Sequence, residues 1–188
     1  MSVIVIEFIT LDGIVSDPDG SAGTPAGGWA FRHGRDTVAG DKFRLGPLFD
    51  SGVMLLGRRT WQAFGRLWPT RDDPFSRRMN AIPKLVASRT LTDASAWANS
   101  SLVRGDVVDA VKQETRDVIV TGSRGLAHLL MAHDLIDEYR LITFPIVLGA
   151  GHHLFPSAEK PTTLQLREIE QVGPAVYARY GRSSSESR

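Results

Sequence analysis

The stretch Val53-Met54-Leu55-Leu56, closed by Gly57 and followed at once by Arg58-Arg59-Thr60-Trp61, constrains this chain more than any other. Four apolar residues in a row bounded by glycine read as a strand buried on both faces, and the residues from Thr60 to about Leu67 read as a helix. A helix N-terminus offers unpaired backbone N–H groups and the positive end of a dipole. Guanidinium groups added there suit a phosphate, as on a nucleotide cofactor. An arginine pair at a helix start also fits plain surface charge, and both readings stand at this point.

The remainder repeats the strand-then-helix theme. Val3 to Thr10 is a β-branched strand, buried except at Glu7, that ends in the turn Leu11-Asp12-Gly13. A long loop poor in secondary-structure formers follows from Asp17 to Gly28, and loops of that length in a compact domain act as covers or are disordered. Trp29 and Phe31 directly after it need something to pack on, which favours a cover. Apolar spacing from about Arg35 to Asp50 is compatible with a helix broken near Gly40, Gly46 and Pro47. Pro74 to about Ala81 reads as a helix, Lys84 to Ser88 as a strand, Leu102-Val103 as a short strand and Asp106 to Glu114 as a helix.

Asp117 to Thr121 is a buried strand running into Gly122-Ser123-Arg124-Gly125 and a helix from Leu126 to His133. This second junction has small residues where backbone could approach a pyrophosphate, although a tight turn explains it equally. Asp137 to Val147, interrupted by Pro145, reads as a strand. Leu164 to Ile169 and Ala175 to Tyr180 read as a hairpin joined by Gly173-Pro174. The order β, α, β, α, β, α, β, α, β, β, β implies a three-layer α/β domain over residues 1–181. Its sheet should be mostly parallel with antiparallel C-terminal strands, followed by a polar tail over 182–188. In such sheets ligands bind at the carboxyl ends of the strands. Asp12, Gly57-Arg58-Arg59, Ser88-Arg89 and Gly122-Ser123 all fall there.

Composition removes several chemistries. No cysteine is present among the 188 residues, so disulfides, thiolate nucleophiles and iron–sulfur clusters are out. No G-x-G-x-x-G, P-loop or nucleophile-elbow pattern occurs, and without H-E-x-x-H or cysteine no metal site is expected. The net charge of +1 hides an asymmetry. Arg32 to Arg89 holds ten Arg and two Lys against five Asp, a net +7, which leaves −6 for the rest. Arginine dominance there favours bidentate phosphate contacts, while the interspersed acids and the lack of an RNA-binding signature argue against nucleic acid. The Val3-Ile4-Val5-Ile6 run is too short for a membrane span and lacks a basic signal-peptide start, so a cytoplasmic location is expected.

Thr10-Leu11-Asp12-Gly13, Gly28-Trp29-Ala30, the Gly-Arg-x-Thr motif of Gly57 to Thr60, Lys84 to Leu91, Val120-Thr121-Gly122-Ser123 and Pro145 to Gly151 occur in a telling order. With these the chain resembles the dihydrofolate-reductase-like superfamily. In particular it looks like a stand-alone bacterial member of the reductase family named after the C-terminal domain of riboflavin-biosynthesis enzymes. The resemblance implies a three-layer α-β-α fold, NADPH as hydride donor and a homodimer. It also implies that Arg58 and Arg59 lie near the adenosine 2′-phosphate, with Thr60 at the pyrophosphate. Ser88 and Arg89 would flank the adenosine, and Gly122, Ser123, Arg124 and Gly125 would lie under the pyrophosphate. Asp12, Trp29 and Phe31 would line the substrate pocket.

Riboflavin-pathway reductases carry a glutamate where this chain has Thr121, and no deaminase partner domain is expected. Dihydrofolate reductases place a carboxylate on the first helix, which maps to Asp41. The expected function is therefore NADPH-dependent reduction of a small heteroaromatic substrate, pterin-, flavin- or pyrimidinone-like, with a proton from Asp12, Asp41 or water. The alternative is a non-catalytic nucleotide- or pterin-binding protein.

Overall fold

The computed structural model describes residues 1–157 and 161–183, so the expected polar tail lies outside the described residues from residue 184 onward. Eight strands form one sheet in the order β4-β3-β2-β5-β1-β6-β8-β7. They are β1 (Val3–Thr10), β2 (Val53–Gly57), β3 (Lys84–Ala87), β4 (Ser100–Leu102), β5 (Val118–Thr121), β6 (Glu138–Phe144), β7 (Leu164–Val172) and β8 (Ala175–Arg182). The helices are α1 (Leu48–Ser51), α2 (Arg58–Leu67), α3 (Pro74–Ala81), α4 (Val107–Gln113) and α5 (Arg124–Ala132). No helix among the described residues is long and apolar enough to cross a membrane. The chain divides into two compact units, Met1–Val5 with Leu45–Ile136, and Ile6–Arg44 with Asp137–Arg188.

In the first unit β2 pairs in parallel with β3 and β5, and β3 with β4. Val53, Met54, Leu55 and Leu56 are at most 1% exposed, because parallel strands with helices packed on them have no solvent face. Each such side chain contributes about 1.5–3 kcal/mol by leaving water. Helix α2 packs against β2 and β3, and α5 against β2. The start of β3 is fixed by a buried lysine. Lys84 Nζ donates to the carbonyls of Asn80, Ile82 and Ala98 at 2.9, 2.7 and 3.1 Å and lies 4.3 Å from the centre of the Trp97 ring. It thereby ties off the orphan carbonyls at the C-terminus of α3.

Several boundaries move. Helix α2 begins at Arg58 rather than Thr60, and α5 at Arg124 rather than Leu126, so both junctions are tighter than the sequence suggests. The second unit is β-rich. Strands β6, β8 and β7 are antiparallel, and the Gly173-Pro174 turn pairs Val172 with Ala175. Strand β6 stops at Phe144, one residue before Pro145, which lacks the N–H a ladder needs. In β1, Glu7 is buried and Phe8 half-buried, the reverse of the expected exception.

The helix expected over Arg35 to Asp50 does not form. A single 3-10 turn spans Arg35–Thr37, irregular chain follows, and only α1 is helical. Gly40 and Gly46 have positive φ, and Arg44 at φ 53° also lies in the left-handed region, none of which a right-handed helix accommodates. Asp41 therefore sits in a bend and not on a helix.

Candidate functional site

The parallel register of the first unit brings four strand tips to one edge. Gly57 is level with Ala87, Val86 with Leu102, and Leu55 with Val120. Just beyond these tips stand Arg58 and Arg59, Ser88 and Arg89, Arg104, and Gly122, Ser123 and Arg124. Among the described residues the guanidinium groups of Arg58, Arg59, Arg89, Arg104 and Arg124 make no hydrogen bond or ion pair. By contrast, Arg77, Arg78 and Arg116 of the same unit pair with Asp72, Asp50 and Glu114 at 2.8, 3.2 and 2.8 Å.

Helix starts divide the same way. Asp73 caps α3, its carboxylate accepting from the N–H groups of Phe75 and Ser76 at 3.0 Å. Asp106 caps α4 by accepting from Val108 and Asp109 at 2.8 and 3.1 Å. Helices α2 and α5 have no side-chain cap and no acidic residue in the first turn. Both instead begin with arginine, whose charge opposes the dipole at a cost of roughly 0.3–1 kcal/mol each. An anion at this edge reverses that sign. A local rule broken without internal compensation marks a functional position.

Ser123 explains why α5 is uncapped although serine is a favoured N-cap. Its Oγ accepts the Gly57 N–H at 2.6 Å and lies 3.5 Å from Thr60 Oγ1, which joins the two strand–helix junctions. Both glycines are required by this closeness. A Cβ on Gly57 would lie 2.4 Å from Ser123 Oγ, and one on Gly122 would lie 2.8 Å from Thr60 Cγ2. Gly122 also has φ +66°, a left-handed conformation that side chains resist. Gly125, expected in the turn, belongs to the first turn of α5. Ser88 Oγ accepts the N–H groups of Thr90 and Leu91 at 3.2 and 3.0 Å, so it shapes the loop that carries Arg89.

The second unit treats its candidates differently. Asp12 accepts from Thr10 Oγ1 at 2.5 Å and from the N–H groups of Leu148 and Gly149 at 3.1 and 2.7 Å. The Thr10 hydroxyl, with those amides, holds its carboxyl down at about 2. So fully bonded, Asp12 braces the loop after β6. Trp29, expected to line a pocket, is fully buried. Its Nε1 donates to Ser16 O at 2.9 Å and its ring meets Phe144 edge-on, with centroids 5.5 Å apart. Phe31 keeps 43% of its surface exposed and is the aromatic of this pair open to a ligand. Asp41 is half-buried, and its charge acts on Arg44 after that of Glu170.

The loop expected to serve as a cover is a set of turns built on Asp17. That carboxylate accepts from Ala22 N at 2.8 Å, Thr24 N at 2.9 Å and Thr24 Oγ1 at 2.7 Å. Burial pushes the Asp17 carboxyl up, but these donors outweigh burial and leave it below the usual range.

Residues 1–178 match the RibD C-terminal domain family. The chain belongs to that family. A similar fold occurs in the 2.12 Å crystal structure of a protein from Shewanella sp. PV-4 provisionally named for riboflavin biosynthesis. The similarity has a TM-score of 0.74 and 23% identity, covering 97% of this chain and 99% of that one. Acinetobacter baumannii RibD shares the fold with a TM-score of 0.62 and 15% identity over 97% of this chain and 58% of its own. The uncharacterized protein YwjB of Bacillus subtilis (strain 168) is 26% identical over 180 residues, covering 93% of this chain and 94% of that protein. The uncharacterized protein YyaP of the same strain is 26% identical over 122 residues, or 61% and 64%. The fold is that of dihydrofolate-reductase-like RibD domains.

Two features of this RibD C-terminal domain escape a reading of its sequence. Arg104 follows a three-residue strand with no Gly-x-Thr motif, and only the β3–β4 register brings it to the edge. Asp17 reads as ordinary loop punctuation, and a short Asp-to-Thr24 spacing was the available signal for an Asx-type turn.

Proposed function

We propose that this RibD C-terminal domain is an NADPH-dependent reductase of a small, heteroaromatic substrate of pterin, flavin or pyrimidinone type. The observation that carries the reading is the edge of unpaired arginines around two uncapped helix starts. The residues fit the cofactor's phosphates on structural grounds: unsatisfied N–H groups at α2 and α5, free guanidiniums, and glycines where a Cβ has no room. Arg58 and Arg59 would bind the 2′-phosphate, Arg89 and Arg104 the adenosine side, and Thr60, Gly122, Ser123 and Arg124 the pyrophosphate. When bound, the cofactor supplies the hydride. With Asp12 ionised and Asp41 off any helix, the accompanying proton comes from water, and Phe31 offers its exposed ring to the substrate.

A second reading has its own support. The Asp12 carboxylate spends its oxygens on Thr10 and on the amides of Leu148 and Gly149, and this favours a domain that binds a nucleotide or pterin without turnover. Calorimetric titration with NADPH and NADH, followed by NADPH-oxidation assays on pterins, flavins and pyrimidinones, separates the two. The reductase reading expects NADPH binding and oxidation with at least one class. Tight binding with no oxidation on any of them selects the second reading, and no binding of either cofactor rejects both.

A further inference from the structure

Within the first unit a cavity of about 380 Å³ opens between helix α2 and the connection from β3 to β4. The helix contributes Trp61 with Gly65 and Gln62 with Arg66, two neighbouring i, i+4 pairs that share one face. The connection contributes Leu91, Asp93, Ala96 and Trp97. None of the arginines of the strand-tip edge lines this cavity, so it lies outside the site described above.

Both walls are fixed from outside the cavity. Trp61 Nε1 donates to Ser100 Oγ at 2.9 Å and Trp97 Nε1 to Asn80 Oδ1 at 2.8 Å, so each indole commits its polar atom elsewhere and leaves ring carbons for the cavity. Ser88 Oγ accepts the Leu91 N–H at 3.0 Å, and Asp93 accepts the N–H of Ser95 at 3.0 Å together with its hydroxyl, which pins the connection at two points. Gly65 weakens the interior of a helix, yet a Cβ there would lie 3.3 Å from Trp97 Cβ, and its absence lets α2 lie close against the indole. A cavity shaped in advance binds a small ligand without first having to be ordered.

We propose that this cavity binds a small planar aromatic carboxylate. Its volume stands at the low end of the roughly 300–1,000 Å³ of ligand clefts, which suits a body of one or two fused rings. Trp61, Trp97, Leu91 and Ala96 give such a body an apolar and aromatic surface. Charge selects the head group. Among the described residues the side chains of Arg66 and Gln62 make no hydrogen bond or ion pair. The Arg66 guanidinium presents a fork that matches a carboxylate, and the Gln62 amide adds a donor beside it. Asp93, the acid among the lining residues, already has both oxygens engaged by Ser95, so the open charge at the rim is positive. One guanidinium and one neutral amide suit a single negative charge. A phosphate is better served by the several arginines of the strand-tip edge.

Calorimetric titration of the full chain with 2-naphthoate, 2-naphthamide and 2-naphthylmethylammonium, combined with NMR of the assigned indole N–H resonances, tests this. 2-Naphthoate is expected to bind and to shift the resonances of Trp61 and Trp97, with the neutral amide roughly tenfold weaker or more and the ammonium weaker still. Arg66→Gln, at an exposed position on α2, is expected to raise the 2-naphthoate Kd roughly tenfold or more and to leave that of 2-naphthamide unchanged. Ala96→Phe fills the cavity and abolishes binding of both. Should that variant lose its circular-dichroism signal, Arg66→Gln decides alone. Excess NADPH is expected to leave 2-naphthoate bound. No binding of 2-naphthoate at millimolar concentration, equal or tighter binding of the amide or the ammonium, undiminished affinity in Arg66→Gln, or displacement by NADPH overturns the proposal. A chain that binds no NADPH leaves the titration unaffected, so the two proposals fail separately.

Discussion

The strand-tip arginines of the first unit and the turn carboxylates of the second are all charged groups that follow strand ends, yet their surroundings treat them in opposite ways. Asp12 is saturated with donors from Thr10 and the loop after β6, and Asp17 with donors from its own loop. Arg58, Arg59, Arg89, Arg104 and Arg124 have no partner among the described residues. A charge whose bonds are met internally fixes backbone shape. A charge whose bonds are left open has affinity to give to a ligand. The same contrast separates the helices, since α3 and α4 carry aspartate caps while α2 and α5 start bare.

The comparison breaks first at the arginines. Replacing Arg58 and Arg59 together by alanine removes charge-assisted bonds worth about 1.5–3 kcal/mol each, and NADPH affinity should fall by roughly 100-fold to 10,000-fold while NADH affinity changes far less. Equal weakening of both cofactors in a calorimetric titration would remove the 2′-phosphate from the assignment. A smaller effect is expected at Gly122→Val. Its left-handed backbone and the 2.8 Å approach to Thr60 impose strain of about 1–3 kcal/mol, which should loosen the two junctions and weaken NADPH about tenfold. Unaltered affinity in a folded Gly122→Val protein would mean that the closeness of the junctions does not matter for binding.

The smallest effect sharpens the other side. The Asp12 carboxyl is lowered in the folded state from 3.8 to about 2, so it contributes stability that is present above pH 3.8 and lost as pH falls toward 2. Thermal unfolding followed between pH 6 and 2 should show the wild-type midpoint converging on that of Asp12→Ala across this window. Parallel curves would show that the Asp12 bonds do not form in solution.

Much of the fold follows from local pattern. The buried run Val53 to Gly57, the strand Val3 to Thr10, the helix opened by Pro74 and the Gly173-Pro174 hairpin all stand where their residues place them. Expectation failed where competing local signals were weighed by spacing alone. The 35–50 segment has helical periodicity, but its positive-φ positions at Gly40, Arg44 and Gly46 overrule it. Trp29 was legible as important and illegible as buried, because an aromatic after a glycine loop looks alike whether it lines a pocket or fills a core.

By itself the sequence determined the alternation of strands and helices, the family, and the motif at Gly57 to Thr60, because these depend on residues close together in the chain. Only the tertiary structure decided which charges remain open. Partnership is a property of three-dimensional neighbours: Asp12 meets Leu148 and Gly149 across more than a hundred residues, and Ser123 reaches Gly57.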